Sequence, residues 1–329
     1  MSAGRNTLRN RLEWLAARLA FLPLAVLPAP ILVLGMTALS RAAYWLGFRR
    51  RRHTVRLIEA RLGLARGSPE ARRVARGAFD TLLLNAIEPT LLERQLRRGR
   101  DIQEFVTVEG GEHLHAAQAS GRGVLLVTAH FGAWEALAIV LHLLFRPVWV
   151  ITRHLNNPLL ERELVERRLK WVAGRLPKEG SGLRLARILL QGETAGLLLD
   201  QNAGQQGAIL PFLGAPASQH TVAGTLARRV GAVVVPVYLV RLPGRLRFHM
   251  LVEPALQVDQ TLPEEQAVLQ VTRLLSESLE RQVRARPDQW MWLHDRWRHA
   301  ERVLRHTAGT ADAAAGRTQV ATAEGTNGP

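Results

Sequence analysis

The residues of this sequence best suited to chemistry lie in one short segment, residues 128–135, which reads TAHFGAWE. His130 and Glu135 are about 140° apart on a continuous helix, so their side chains could meet only across a turn. A strand that ends near His130, a flexible Gly132 and a helix that begins near Ala133 would supply this turn. Glu135 would then lie in the first helical turn, where the helix dipole favours a carboxylate. It could accept the imidazole N–H, fix the tautomer and leave the other nitrogen as a general base; a histidine that only caps the helix is the alternative.

The elements that must position this segment have the pattern of an α/β protein. Short apolar runs alternate with amphipathic stretches, which indicates buried parallel strands separated by helices. The predicted strands cover residues 124–129, 147–152, 195–199 and 233–240, with a further strand within 245–252. The predicted helices cover residues 54–103, 134–145, 158–173, 183–191, 221–230 and 263–286. We therefore expect a mostly parallel central sheet flanked by helices.

A polar or charged residue follows each of the four clearest strands. These residues are His130, Arg153, Asp200 and Arg241. In an open parallel sheet the carboxyl ends of the strands line one crevice, where ligands bind. The four side chains should converge there, although a helix-capping or loop role for Asp200 is the alternative.

The N-terminal part of the chain has the composition of a membrane anchor. Leu19–Leu39 contains no charged residue, and its length just crosses a hydrocarbon core of about 30 Å, but three prolines interrupt it. A single span, a tilted or re-entrant anchor and a buried helical hairpin of a soluble domain all remain open. Aromatic residues at 44–45 and four arginines at 49–52 follow, as is typical of an anchor at an anionic leaflet with the rest of the chain on the cytoplasmic side. We expect residues 1–53 to form this helical anchor.

The 329-residue chain is strongly basic and lacks cysteine. It has 44 Lys plus Arg against 28 Asp plus Glu, a formal net charge of +16 that predicts an anionic partner, either nucleic acid or a phospholipid surface. Because zinc-ligand, RRM-type and helix-turn-helix motifs are missing, a basic nucleic-acid-binding protein is a distant alternative and we expect no nucleic-acid partner. The lack of cysteine excludes disulfides, thiolate metal sites and cysteine nucleophiles. Neither a G-x-G-x-x-G fingerprint nor a Walker lysine is present.

The segment HFGAWE resembles the H-x4-D/E motif of the glycerolipid acyltransferase superfamily. In this form it is similar to the bacterial lipid A biosynthesis acyltransferases, the late lauroyl and myristoyl transferases. Further similar segments occur in the same order, over roughly residues 10–300: residues 108–135, TRHLNNPLLER (152–162), LLLDQNAG (197–204), residues 210–242 and PDQWMWLHDRW (287–297).

The resemblance implies an inner-membrane enzyme with its catalytic domain on the cytoplasmic side. It would move a fatty acyl chain from an acyl carrier protein thioester to a hydroxyl group of a lipid A precursor in the membrane. The motif implies His130 as the general base and Glu135 as the residue that orients and charges it. Direct transfer without an acyl-enzyme, a metal or an organic cofactor is implied.

Further residues would bind the acceptor. The resemblance places Asp200 and Gln201 at the family's "DQ" position, where they would organise the acceptor site. The candidates for holding the acceptor phosphate or the developing oxyanion are Arg153 with Asn156, or alternatively Arg167 or Arg168. The EGTR motif of phospholipid-forming relatives is missing, and an acyltransferase for another glycolipid or an aminolipid is the alternative reading.

The C-terminal region divides into a packed and a polar part. Trp290, Trp292 and Trp297 are predicted to be core residues, although an interfacial cluster is the alternative. Arg296, Arg298 and Arg302 are predicted to form a solvated face. The acyltransferase α/β domain should cover residues 54–306, and residues 307–329 should be a disordered tail.

Overall fold

The computed structural model describes residues 2–152, 156–162, 169–177, 180–244 and 246–305. The helices are α1 (Ser2–Val26), α2 (Ala29–Leu46), α3 (Phe48–Leu62), α4 (Pro69–Leu84), α5 (Glu88–Leu96), α6 (Gly111–Ala119), α7 (Leu137–Leu144), α8 (Ser181–Leu190), α9 (Val222–Val230) and α10 (Glu264–Ala285). The strands are β1 (Val106–Glu109), β2 (Val124–Thr128), β3 (Trp149–Thr152), β4 (Gly174–Pro177), β5 (Thr194–Leu198), β6 (Ala208–Phe212), β7 (Ala215–Gln219), β8 (Val233–Arg241) and β9 (Phe248–Val252). The predicted tail, residues 307–329, lies outside the described residues.

Seven strands form the central sheet, in the order β1-β9-β8-β2-β5-β3-β4. From β8 to β4 all neighbours are parallel. Only the pairing of β8 with β9 is antiparallel, and β1 then lies parallel to β9. The structure thus confirms the expected α/β class with a mostly parallel sheet flanked by helices.

The central strands are apolar along their whole length because both faces of the sheet are covered. Val124 and Leu126 of β2 pack in one cluster with residues of α6 and α7. Leu125 and Val127 point to the other face and pack with residues of α8, α9 and α10. Alternate side chains of a strand point to opposite faces, so burial on both sides removes the alternation of polar and apolar residues.

The structure also contains strands that the apolar pattern does not reveal. β1 and β4 are four-residue strands at the two edges of the sheet, and β6 and β7 pair as a separate antiparallel hairpin. Of the helix predicted over residues 158–173, Pro158–Leu160 form a helical turn that continues as π-helix at 161–162, residue 169 is helical, and residues 163–168 lie outside the described part. Residues 170–173 form turns and bends, so the predicted C-terminal end is a correction.

Two helices divide the uncharged N-terminal run. α1 ends at Val26 and α2 begins at Ala29, so two helices, and not one, cover Leu19–Leu39. Pro28 separates the two helices, because a proline lacks the N–H that would continue the ladder and disfavours helical geometry in the residue before it. α2 is long and apolar enough to cross a membrane, judged by length and composition only. It is the one helix among the described residues that meets both criteria.

The N-terminal helices leave much apolar surface uncovered. Leu32 of α2 packs in one cluster with Ile87 and Leu91 beside α5. The large apolar side chains that stay exposed here are Leu8, Leu12, Leu15, Leu19, Leu22, Val26, Leu27, Ile31, Leu34, Leu39, Trp45, Leu46 and Phe48. Contiguous apolar surface of this kind marks an interaction site for a membrane or another apolar partner.

Candidate active site

Sheet register brings His130 and Asp200 together although 70 residues separate them in the chain. Strands β2 and β5 are parallel neighbours, and Thr128 pairs with Leu198 at their carboxyl ends. The pairing continues one residue further, where Leu199 N donates to Thr128 O at 3.2 Å. His130 and Asp200 each lie two residues beyond this pair, so they leave the sheet side by side.

The carboxylate of Asp200 accepts three hydrogen bonds. Its Oδ1 atom is 2.8 Å from His130 Nδ1, and its Oδ2 atom accepts from the His130 backbone N–H at 3.0 Å. The Trp290 Nε1–H also donates to Oδ2, at 3.0 Å. Asp200 is 3% exposed and His130 22% exposed, so the carboxylate is sealed while the imidazole reaches the surface of the site.

These contacts set the charges of the pair. Burial raises the pKa of Asp200, but the hydrogen bond and charge of His130, the charge of Arg296 and the Trp290 hydrogen bond outweigh it and hold the pKa below its ordinary value. Burial lowers the pKa of His130, whereas the hydrogen bond and charge of Asp200 and the charge of Glu135 raise it, and the net direction is upward. Such a pair carries an Nδ1–H donated to the carboxylate and leaves Nε2 as the basic nitrogen. Among the described residues, none is hydrogen-bonded to Nε2.

Glu135 lies in a different place from the one expected for it. The carboxylate at Nδ1, predicted to be that of Glu135, is that of Asp200. Glu135 lies in a turn ahead of α7, half-buried, and its backbone N–H donates to Asn85 Oδ1 at 3.1 Å. It is close enough for its charge to raise the pKa of His130. Its role as a catalytic residue stays a prediction.

A tight turn at Gly132 directs the chain from β2 towards α7. Gly132 has a φ of +59°, and a Cβ atom there would lie 2.1 Å from the carbonyl oxygen of Leu239 in β8. The next residue, Ala133, donates its N–H to the same carbonyl at 2.8 Å. Only glycine combines this backbone conformation with so close an approach.

Side chains from the helical layer hold the same turn. Asn85, buried at the end of α4, donates from Nδ2 to Gly132 O at 2.8 Å. Arg241, at the end of β8, binds Glu88 through Nε and Nη2 at 2.5 and 2.7 Å, and its Nη2 also lies 3.3 Å from Gly132 O. Arg241 was expected to face the ligand crevice; instead it is a structural residue of the turn. Asn85 carries no sequence signal of its own, since its partners are distant in the chain.

The C-terminal segment closes the site from the other side. Gly132 N donates to Gln289 O at 2.9 Å, and Met291 N donates to His130 O at 3.0 Å. Trp290, Trp292 and Trp297 are fully buried, which confirms the prediction that they are core residues. Their sequence pattern did not show that Trp290 would donate to Asp200.

Arg296 is a correction to the predicted solvated face. Arg298 and Arg302 are exposed as expected, but Arg296 is 2% exposed. Its guanidinium carbon lies 4.1 Å from the centroid of the Phe212 ring. Arg296 lies just ahead of residues 298–305, which are helical, and it is buried together with its neighbour Trp297.

The remaining predicted acceptor residues are placed only in part. Arg153, Arg167 and Arg168 lie outside the described residues. Asn156 is exposed at the start of the short helical turn, and Gln201 is half-buried beside Asp200. Within the described ranges no group of three His, Asp or Glu side chains could hold a metal ion.

Comparison with known proteins identifies the family of this chain. Residues 2–299 match the family described as bacterial lipid A biosynthesis acyltransferase. Over 202 residues the chain is 27% identical to the lipid A biosynthesis palmitoleoyltransferase of Escherichia coli K12, covering 60% of this chain and 63% of the relative. It is 28% identical to the lauroyltransferase of the same organism, with 60% and 64% covered. It is also 26% identical over 223 residues to a phosphatidylinositol mannoside acyltransferase of Mycobacterium tuberculosis H37Rv, with 64% of each chain covered.

Each alignment spans less than two-thirds of the relative's length. The family match, by contrast, extends through the N-terminal helices, the sheet and the tryptophan segment. The chain therefore belongs to the bacterial lipid A biosynthesis acyltransferase family.

Proposed function

We propose that this protein is an O-acyltransferase that moves a fatty acyl chain from an acyl carrier protein thioester to a hydroxyl group of a lipid A precursor. The observation that carries the proposal is the 2.8 Å contact between His130 Nδ1 and the buried carboxylate of Asp200, at the ends of two neighbouring parallel strands. Family membership supports acyl transfer and a lipid acceptor.

The chemistry follows from the basic Nε2 atom of His130. Nε2 takes the proton of the acceptor hydroxyl as the oxygen attacks the thioester carbonyl carbon. The tetrahedral intermediate collapses, the C–S bond breaks, and the imidazolium returns the proton to the departing thiolate. The products are an ester and the thiol of the carrier protein, so no acyl-enzyme forms.

Two carboxylates support the imidazole during this cycle. Asp200 fixes the proton on Nδ1 and stabilises the imidazolium that forms when Nε2 accepts a proton. Glu135 adds negative charge on the turn, which favours the same imidazolium. Gln201, next to Asp200, organises the acceptor site, and the acceptor phosphate or the developing oxyanion is held by Arg153 with Asn156, or alternatively by Arg167 or Arg168.

The enzyme acts at the inner membrane with its α/β domain on the cytoplasmic side. The uncovered apolar side chains of α1 and α2 support insertion into a bilayer. Arg49, Arg50 and Arg52 follow α2 directly and are exposed, and no ion pair engages them within the described part of the chain. They suit an anionic phospholipid surface, and the overall charge of +16 suits an acidic carrier protein.

The test is acyl transfer by the purified protein in detergent micelles. A fatty acyl carrier protein and a lipid A precursor are supplied, and the mass gain of one acyl chain is followed by mass spectrometry. His130→Ala should lower the rate by about 10²–10⁴-fold, whereas His115→Ala, a change at an exposed histidine of α6, should leave it unchanged. A near-normal rate in His130→Ala would contradict the assignment of the base.

A second candidate is acyl transfer to a different glycolipid. The match to a phosphatidylinositol mannoside acyltransferase favours it, because it shows that related chains include such an activity by name. Lipid profiles of a deletion strain separate the two: loss of one acyl chain from lipid A supports the first function, and an unchanged lipid A with another glycolipid altered supports the second.

A further inference from the structure

Arg296 is a buried cation whose hydrogen-bonding capacity is not used. Its Nε and Nη1 atoms have no hydrogen-bond partner among the described residues. The Phe212 ring covers one face of the guanidinium at 4.1 Å. A buried charge without hydrogen bonds is costly, so such a group requires an explanation.

A small cavity adjoins this guanidinium. Its volume is about 20 Å³, and Arg296, Asp200, Tyr238 and Ser276 are among its lining residues. The buried Oγ atom of Ser276 also has no hydrogen-bond partner in the described ranges. On the same measure one water molecule needs about 10–15 Å³ and two or more polar partners, so the cavity has the size and polarity for a single water.

Asp200 and Arg296 both face this space without touching. Within the described chain no nitrogen of Arg296 comes within 4.0 Å of the Asp200 carboxylate, the distance that defines an ion pair. Their charges nevertheless act on each other, since Arg296 lowers the pKa of Asp200. Where two polar groups lie further apart than about 3.5 Å, a water molecule between them can accept from one and donate to the other.

We propose that Arg296, acting through one buried water on Asp200, is a positioning residue that keeps the Asp200–His130 pair in its reactive form, with an ionised carboxylate and a neutral imidazole. The relevance to catalysis rests on the proposed function. The electrostatic relation between Arg296 and the pair does not.

The direction of the effect does not depend on which residue of the pair carries a proton. The reactive pair has charge −1, and adding one proton makes it neutral, whether the proton lies on Asp200 or on His130. A cation nearby stabilises the −1 form and therefore lowers the pH at which the pair loses this proton. Burial lowers the pKa of Arg296 only to about 10, so it remains a cation at neutral pH.

Other groups face the same pair and must stay constant in a test. The charged and titratable groups involved are Glu135 towards His130, His294 and Tyr238 towards Asp200, and His220 on the cavity wall. Burial lowers the pKa of His294, and its Nε2 atom accepts from Asn202 N at 2.9 Å, so it is a neutral neighbour. Burial raises the pKa of the Tyr238 hydroxyl, which is therefore neutral as well. Arg296 is the one arginine or lysine among the described residues that line this cavity.

The experiment compares Arg296→Gln, Arg296→Lys and the control Arg298→Gln. The first removes the buried charge, the second keeps it, and the third removes the charge of an exposed arginine two residues away, outside the cavity. Two readouts are taken against pH in the full-length protein: kcat/KM for acyl transfer, and the rate of His130 carbethoxylation by diethyl pyrocarbonate, measured by peptide mass spectrometry. Only a neutral imidazole reacts, so the second readout needs no enzymatic activity.

In Arg296→Gln we expect both midpoints to move up by about one pH unit. At a pH well below the midpoint, a shift of about one unit makes both the acyl-transfer rate and the carbethoxylation rate about tenfold lower. Arg296→Lys and Arg298→Gln should stay within about 0.3 unit of the unchanged protein, a difference small against the effect of a full buried charge. An Arg296→Gln protein that melts at a lower temperature but keeps both midpoints would show a purely structural arginine and overturn the proposal.

A measurement on the unchanged protein covers the case in which Arg296→Gln does not fold. A crystal structure should show one ordered water within hydrogen-bond distance of Arg296 and Asp200. A dry cavity, or a direct ion pair between the two side chains, would overturn the proposal. One further outcome is that the unchanged protein transfers no acyl chain while Arg296→Gln still shifts the carbethoxylation midpoint of His130. In that outcome the proposed function fails, and the role of Arg296 in setting the protonation of the Asp200–His130 pair is upheld.

Discussion

Asp200→Asn separates the structural from the chemical role of the buried carboxylate. The carboxylate accepts from His130 Nδ1, the His130 backbone and Trp290 Nε1. An asparagine can lie in two ways. With its oxygen towards Nδ1, its NH₂ group would face two N–H donors, each at 3.0 Å, and two buried donors without acceptors cost about 2–6 kcal/mol.

The opposite orientation of the side-chain amide in Asp200→Asn leaves neither of these donors without an acceptor. Its oxygen then accepts from the His130 backbone and Trp290, and its NH₂ group donates to Nδ1. The imidazole proton moves to Nε2 as a result, so the nitrogen that should act as a base becomes a donor. We expect the protein to adopt this arrangement, to lose only about 1–2 kcal/mol of stability, and to lose about 10³–10⁴-fold in kcat, as is general for reversal of the tautomer in a His–Asp pair.

The assay combines kcat for acyl transfer with the midpoint of thermal unfolding. Asp259→Asn is the matched control, since Asp259 is exposed and its side chain accepts hydrogen bonds from residues 261 and 262 of its own loop, and it should retain full activity. If Asp200→Asn kept a tenth or more of kcat, the proposal that Asp200 fixes the tautomer of His130 would be refuted.

Three further changes test the support of the site and its pH response. Gly132→Ala should destabilise the protein by about 2–4 kcal/mol, from the positive φ and the clash with the neighbouring carbonyl, seen as a lower melting temperature. Glu88→Gln removes the negative charge that pairs with the largely buried Arg241 and should lower the free energy of unfolding by about 3 kcal/mol. Glu264→Gln, in an exposed ion pair, should lower it by about 0.5 kcal/mol or less. Equal melting temperatures of the two variants would contradict this expectation. Because only neutral His130 accepts a proton and its pKa is raised, kcat/KM should fall as the pH drops through a midpoint above 6.5, and a midpoint below that value would contradict the Asp200 contact.

Buried strands were the most predictable part of this fold. β2, β5 and β8 lie within one residue of the predicted runs at each end, because burial on both faces leaves continuous apolar segments. The edge strands β1 and β4 and the β6–β7 hairpin were not predictable in this way, since short strands at an edge carry little apolar pattern. The N-terminal run was identified as apolar, but its division at Pro28 became clear only from the helix bounds.

The site was predictable as a set of residues but not as a set of contacts. His130 was identified from its local motif, and that motif drew attention to Glu135, a partner only a few residues away. Asp200 was placed at a strand end, yet its pairing with His130 depends on β2 and β5 being neighbours in register, which a single sequence does not reveal. Arg296, grouped with Arg298 and Arg302, is predicted to lie on a solvated face, whereas its packing against Phe212 is a long-range contact that a single sequence does not reveal.

The backbone link between residues 289–291 and the His130 turn has a consequence for biosynthesis. Gln289 and Met291 complete the hydrogen bonds of Gly132 and His130, and Trp290 completes those of Asp200. During translation the N-terminal helices leave the ribosome first, while these three residues follow almost at the end of the described chain. An unfinished chain therefore exposes its N-terminal apolar helices before the backbone partners of His130 and Gly132 and the Trp290 donor to Asp200 have been synthesised.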